Sequence, residues 1–476
     1  MDRTVEPPDA GQRLLRVRVE PVESPPAART IGKVEAFIHL WKGNLGPGLL
    51  ALPRAYASVG VAPWALICLA FVTAQGVGSM WLLTIVQQHA RSCIPAGGLP
   101  TSGRLTFEDL GTLAYGRGGR ASIQLCIFSL QFGVCTVYIS LVADSLQLIA
   151  AGVLTQQQAA VLAAAPCLLL ALLPDLSHLW LLSAIGTLAM LFALSSTVVA
   201  AVSELALANS TALAVDVALT DAVGGQDSPL LLRLGGTLAT SVYALEGMAI
   251  VLPVGNAMSE GDAQRYPLLV VVAMGSLSAV FGIVACTTAL GFPHVSSASI
   301  TAYLMEYYAQ TAYRSFFYAV NLLIAAVVVL TFPLQLTPIS LLVDQLLGLR
   351  SRRTRLLARV VLVGSCLLLV LSLQGSLTKL IDLTGAVANT SLCALPPLLH
   401  LRLFFRQPGF RNPAAAIAAS GRRDAPAGDE RVLLLGRHQR PACTAGEAAV
   451  LVADVLMLAA SLLIMVGGVW AAVADE

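Results

Sequence analysis

The feature that most constrains this chain is a Gly-Pro-Gly triplet, Gly46-Pro47-Gly48, set inside a bilayer-length apolar stretch whose core reads FIHLWKGNLGPGLLAL from Phe37 to Leu52. Proline has no backbone N–H and glycine has little preference for the helix, so the triplet unwinds a helix at mid-membrane depth. Lipid satisfies none of the backbone groups set free. They persist only where protein buries them or a watery cavity meets them. An unwound first helix in a many-spanning chain is therefore a mark of a solute site of the kind secondary transporters use.

The rest of the chain supplies the membrane. Hydrophobic residues make up 57% of its 476 and charged residues only 12%, with a mean hydropathy of +0.77, outside the range of soluble domains. That length suffices for about ten to twelve spans at roughly 20 residues each. Apolar windows predict eleven, near 33–58, 62–88, 121–151, 158–175, 178–203, 231–257, 266–291, 314–345, 356–374, 377–401 and 446–473. Residues 1–30, with Pro7, Pro8, Pro21, Pro25 and Pro26 among charges and no apolar run, read as a disordered cytoplasmic tail rather than a cleaved signal peptide. A polytopic membrane domain follows over 31–476, with a cytoplasmic loop at 402–445 before the last span.

Charge sets the predicted orientation. With the N-terminus cytoplasmic, the inner segments collect Arg350, Arg352, Arg353 and Arg355 and the arginines from Arg402 to Arg440. Only Arg233, Arg314 and Lys379 fall outside. Such an imbalance is a positive-inside signal and calls for an odd number of spans. Asn209-Ser210-Thr211 is a glycosylation sequon in a loop this topology puts outside; a second, Asn389-Thr390-Ser391, falls within span ten and is expected to be unused. The cysteines show neither a disulfide framework nor CxxC spacing, so they read as small packing residues, and neither metal nor cofactor is implied. The loop arginines read as topology determinants, not as a nucleic-acid patch.

Span six carries a second interruption, Glu246-Gly247, within LGGTLATSVYALEGMAIVLPVGNAM. A mid-bilayer carboxylate costs several kcal/mol unless it is paired, protonated or hydrated, which makes Glu246 a functional candidate. Spans one and six are five helices apart. An odd number of spans per half reverses the second copy, so the spacing of the breaks predicts an inverted repeat, over about 31–205 and 229–402. Half-helix N-termini at such breaks suit an anionic group, and a carboxylate or unwound carbonyls suit an ammonium. A zwitterion satisfies both, which makes an amino acid the simplest ligand class. In span three, Gln131, Cys135, Tyr138 and Ser145 share one helical face, which either lines a cavity or packs helices. The candidate solute contacts are Asn44, Gly46, Gly48, Tyr138, Tyr243, Ala244, Glu246 and Gly247.

These residues resemble the amino acid/auxin permease family, and within it the proton-coupled amino acid transporters. Span one carries H-L-x-K-G-N-x-G-x-G-L-L-x-L-P from His39 to Pro53. Span three carries G-x-C-x-V-Y…A-D from Gly133 to Asp144, span six A-x-E-G…V-L-P-x-x-N-x-M from Ala244 to Met258, and span ten ends Pro396-Pro397-Leu398-Leu399-His400. The resemblance implies an all-α integral membrane protein with a leucine-transporter-like fold: five plus five inverted helices, broken helices one and six, and an eleventh helix appended. It also implies symport of small neutral amino acids driven by protons, with His39 and Glu246 as the proton-coupling candidates. His39 reads equally well as an interfacial histidine bonded to a carbonyl. The chain departs from the family's pattern at Pro47, where a small polar residue is usual, and at Arg54, where an uncharged one is.

Sodium coupling, seen in related branches, stays open, as does an amino acid sensor with little flux. Nothing resembles an enzyme's nucleophile–base pair. The expected setting is a plasma, lysosomal or vacuolar membrane, with lipid, an amino acid and a proton as the partners.

Overall fold

Span one is two 12-residue helices, Lys33–Asn44 and Gly48–Val59, separated by Leu45, Gly46 and Pro47. Span six repeats the plan: Leu230–Ala244 and Met248–Ala257 flank Leu245, Glu246 and Gly247. Two helices of that size end to end rise about 36 Å, enough for a bilayer core. Pro47 sits at the N-cap of its half-helix, where a missing N–H leaves no ladder bond unmade. The computed structural model describes residues 30–93, 104–150, 153–173, 179–207, 228–373, 376–406 and 445–474. The expected tail over 1–29, the sequon at Asn209 and most of the 402–445 loop lie outside the described residues.

The other spans follow in order: two (Leu66–Cys93), three (Arg117–Ile149), four (Gln156–Ala171), five (Leu179–Leu207), seven (Tyr266–Gly291), eight (Arg314–Leu346) and nine (Arg352–Ser372). Span ten is Leu377–Leu383, a π turn over Thr384–Asn389, and Thr390–Arg406; span eleven is Ala445–Ala474. Among the described residues, eight helical stretches are long and apolar enough to cross a membrane on length and composition alone. The half-helices of span one, the short span four and the π-interrupted span ten complete the set of eleven. Capping boxes at Thr106/Asp109 and Thr155/Gln158 start a short helix, Phe107–Tyr115, and span four. A second short helix, Ile300–Tyr307, joins spans seven and eight.

The repeat shows in the packing. The trailing half of span one lies against the leading half of span six, span three against span eight, and span seven against spans two and five. Span eleven packs on the leading half of span six so closely that a methyl on Gly235 would overlap the carbonyl oxygen of Gly467. Small residues allow this approach where no hydrophobic force drives helices together in lipid. At the N-terminal end the two remaining half-helices are tied: Ile31 donates to the Ala257 carbonyl (2.9 Å), Ser259 donates to that of Ile31 (3.3 Å), and Lys33 Nζ lies 2.9 Å from Asp262. The halves therefore pair crosswise, leading with trailing, as an inverted repeat requires.

Candidate functional site

The two breaks face each other. Each puts the carbonyl end of one half-helix and the N–H end of the next at the same level, so opposite dipole ends converge on one point. A methyl on Gly48 would stand 2.8 Å from the Cα of Ala244, and one on Gly247 would stand 2.8 Å from Asn44 Oδ1. Only glycine lets the breaks meet this closely. Asn44 is buried; its Nδ2 donates to the Leu40 carbonyl (2.7 Å), and its Oδ1 has no partner among the described residues. Glu246 Oε2 is likewise buried and unpartnered.

A cavity of about 370 Å³ runs from the breaks toward the N-terminal end of span one. Five spans build its wall. Span one gives His39, Lys42, Gly46 and Pro47, span three Gln131 and Tyr138, span five Thr187, span six Glu246, and span eight Thr331 and Gln335. Gln335 Nε2 donates to the Tyr138 hydroxyl at 3.4 Å, which bridges spans eight and three across the wall. At the cavity's wide end His39 is half exposed and lies 4.0 Å from Glu35, one turn back.

The sequence-derived candidates divide into two layers. Gly46, Tyr138, Glu246 and His39 line the cavity; Asn44, Gly48, Tyr243, Ala244 and Gly247 form the packed layer behind the breaks. The polar face of span three splits as well. Gln131 and Tyr138 reach the cavity, whereas Cys135 is fully buried and Ser145 bonds its own helix at the Leu141 carbonyl (3.0 Å). Sequence reasoning missed the contributions of spans five and eight. The run Thr331-Phe332-Pro333-Leu334-Gln335 carried a signal, since two polar residues four apart share one helical face. Thr187 stands alone in an apolar helix and carried none.

On the far side of the breaks the route closes. Tyr243 and Ala244 pack on Gly48, and beyond them lies a separate chamber of about 120 Å³ that shares no lining residue with the cavity. The molecule thus holds a site at mid-depth with access from one end and a seal toward the other.

The family model described as transmembrane amino acid transporter protein matches residues 29–408. The chain belongs to that family. It is 26% identical over 319 residues to vacuolar amino acid transporter 4 of Saccharomyces cerevisiae (strain ATCC 204508 / S288c), covering 66% of this chain and 41% of that protein. It therefore spans about two-fifths of that relative's length. Among solved structures it is similar to MhsT in complex with L-phenylalanine, with a TM-score of 0.58 and 12% identity over 93% of this chain and 100% of that one. It is also similar to inward-facing Mhp1, with a TM-score of 0.54 and 15% identity over 94% of this chain and 92% of that one. At such identities the likeness is one of fold, and it extends over both five-helix halves. The family read from the sequence motifs and the expected leucine-transporter-like fold both stand.

Proposed function

We propose that this chain is a secondary active transporter that carries small neutral amino acids together with protons, by alternating access. The observation that carries the proposal is Glu246: a carboxylate at the break of span six, on the cavity wall, with one oxygen unpartnered. A buried carboxylate needs a cation beside it or a proton on it. An amino acid's ammonium and a proton are the two species that would serve in turn. The solute's carboxylate goes to the N–H ends of the trailing half-helices at Gly48 and Met248. A wall of aliphatic, glycine and neutral polar residues, with Lys42 and Glu246 as its charges, suits a small uncharged side chain.

In this reading the N-terminus is cytoplasmic, the cavity opens inward, and the membrane is vacuolar, lysosomal or plasma. His39 at the mouth relays the proton. The cross-paired half-helices of spans one and six rock as a unit, and the bound solute and proton bias the two-state equilibrium. The test is uptake of labelled glycine, alanine or proline into liposomes under an imposed pH gradient. Accumulation that follows the gradient is expected. Uptake that ignores the pH gradient and follows a sodium gradient would replace the proton, and binding with no flux would replace transport with sensing.

A further inference from the structure

Behind the break of span six lies a small pocket that the main cavity does not reach. It measures about 10 Å³, the size of one water, and it shares no lining residue with the cavity. Four spans meet there: two gives Gln75, six Val242 and Leu245, ten Asn389 and Thr390, and eleven Ile464.

Gln75 and Asn389, the latter the sequon residue expected to go unused, are the telling pair. Both are buried, at 4% and 0% exposure. Each keeps a side-chain oxygen, Gln75 Oε1 and Asn389 Oδ1, without a partner among the described residues. Their other ends are committed. Asn389 Nδ2 donates to the Val242 carbonyl, which can only accept. Gln75 Nε2 donates to Ser461 Oγ, whose own hydrogen goes to the Met457 carbonyl. These partners fix which way each amide points, so both free atoms are acceptors. Thr390 spends its hydrogen on the Gly385 carbonyl and keeps its oxygen's lone pairs as well.

The backbone contributes the same sign. The leading half of span six ends at Ala244, between Val242 and Leu245. The last carbonyls of a helix lack helical partners and form the negative end of its dipole. Asn389 closes the π turn of span ten, and single π turns gather at functional sites. A pocket whose loose ends are all acceptors calls for a cation. No carboxylate lines it among the described residues, so a doubly charged ion, which takes charged oxygens, is poorly served. Neutral carbonyl oxygens suit a bare monovalent ion, whose hydration shell they replace. The small volume selects sodium over potassium.

We infer that this pocket binds one sodium ion, held by Gln75 Oε1, Asn389 Oδ1 and Thr390 Oγ1 with carbonyls from the end of the leading half-helix. The ion ties spans two and ten to the break of span six. Because the pocket stands apart from the cavity, the ion is a resident brace, bound with or without solute, and not the driver of transport. The inference does not rest on the amino acid reading.

The test compares the full chain in nanodiscs in sodium, potassium and choline chloride at equal ionic strength, and counts bound radioactive sodium per chain. One saturable ion is expected, with a melting temperature that climbs with the logarithm of sodium concentration and less so with potassium. Gln75→Met and Asn389→Leu should each weaken sodium binding about tenfold or more, as loss of a contact to a charge does. Each also cuts a tie between helices, so each should melt lower in choline. The sodium increment over choline is therefore the readout, since a purely structural role lowers both curves and leaves that increment intact. Gln75→Glu, which keeps an oxygen at the pocket, should restore binding, and it decides the matter where the leucine variant does not fold.

Equal melting in sodium and choline with no bound sodium overturns the site and leaves a water to meet the two oxygens. Bound sodium that Gln75→Met and Asn389→Leu both leave unchanged places the ion elsewhere and overturns it as well. Neither result touches the transport reading, which uptake under a pH gradient decides separately.

Discussion

His400 Nδ1 lies 2.7 Å from Asp454 Oδ2, and both side chains are buried, so a histidine of span ten and an aspartate of span eleven meet inside the bundle. The pair fixes the appended helix to the ten-helix core. Gln75 of span two, 2.5 Å from Ser461, makes a second polar tie to the same helix. Removing one partner of such a pair strands the other in a poor solvent, whereas replacing both with apolar residues removes the problem. Asp454→Leu alone is expected to cost about 3–5 kcal/mol, and the double variant with His400→Leu to recover most of that loss. Thermal unfolding in detergent measures both. A double variant no better than the single one would show that the two groups are not coupled.

The glycines at the breaks make a graded prediction. A methyl on Gly48 meets backbone, the Cα of Ala244 at 2.8 Å, which has nowhere to go. On Gly247 it meets Asn44 Oδ1 and the ends of two flexible methionines, Met80 and Met274, at 2.8–2.9 Å. On Gly46 nothing lies within 4 Å. Overpacking of this kind costs about 1–3 kcal/mol. Gly48→Ala should therefore destabilise most, Gly247→Ala less, and Gly46→Ala scarcely at all, as read in melting temperature. The reverse order would mean that the breaks do not pack as described.

The breaks themselves were legible from the chain, because Gly46-Pro47-Gly48 and Glu246-Gly247 violate what a membrane helix needs. Their geometry was not. Nothing in the sequence says that Gly48 meets Ala244 or that Gly247 meets Asn44, since each contact joins residues about 200 positions apart. Tyr138 could be placed on the wall from the polar stripe of span three, yet the same stripe also holds Cys135, which is packed away. The π turn of span ten was invisible as well. The segment Thr384–Asn389 reads as ordinary helix, and it distorts where Asn389 reaches the Val242 carbonyl and Gly385 sits against the Ala239 carbonyl. Tertiary contact, not local propensity, decides that turn.

Glu246 separates coupling from binding. Glu246→Gln keeps the shape and hydrogen-bonding capacity of the side chain and removes its ability to exchange a proton. Counterflow of labelled amino acid at saturating concentration, which needs binding and rocking but no net proton movement, should persist with a raised half-saturation, because the glutamine oxygen still accepts from the ammonium but without the charge. Accumulation driven by a pH gradient should fall about tenfold or more, as removal of an essential proton carrier implies. The two rates measured on the same proteoliposomes decide the matter: equal losses in both would assign Glu246 to solute binding alone.

Lys33 and Asp262 tie the leading half of span one to the loop after span six, 2.9 Å apart and in solvent at the cavity's end of the bundle. The hydrogen bond from Lys33 is the main cause that holds the Asp262 carboxyl below its ordinary value of 3.8. A carboxylate whose folded pKa is depressed contributes stability that is fully present above the unfolded value and is lost as pH falls through the folded one. The tie is therefore intact at neutral pH and is lost only as the pH falls below 3.8 through the lowered folded value. Salt should weaken it earlier, because exposed pairs are screened within a Debye length of about 8–10 Å. Asp262→Asn should thus loosen the N-terminal end at pH 7 and low salt. A cysteine introduced at Leu45 should then be labelled faster in the variant than in the parent at pH 7, and the two rates should converge at high salt. A difference that persists at high salt would show that Asp262 holds the half-helix by packing rather than by charge.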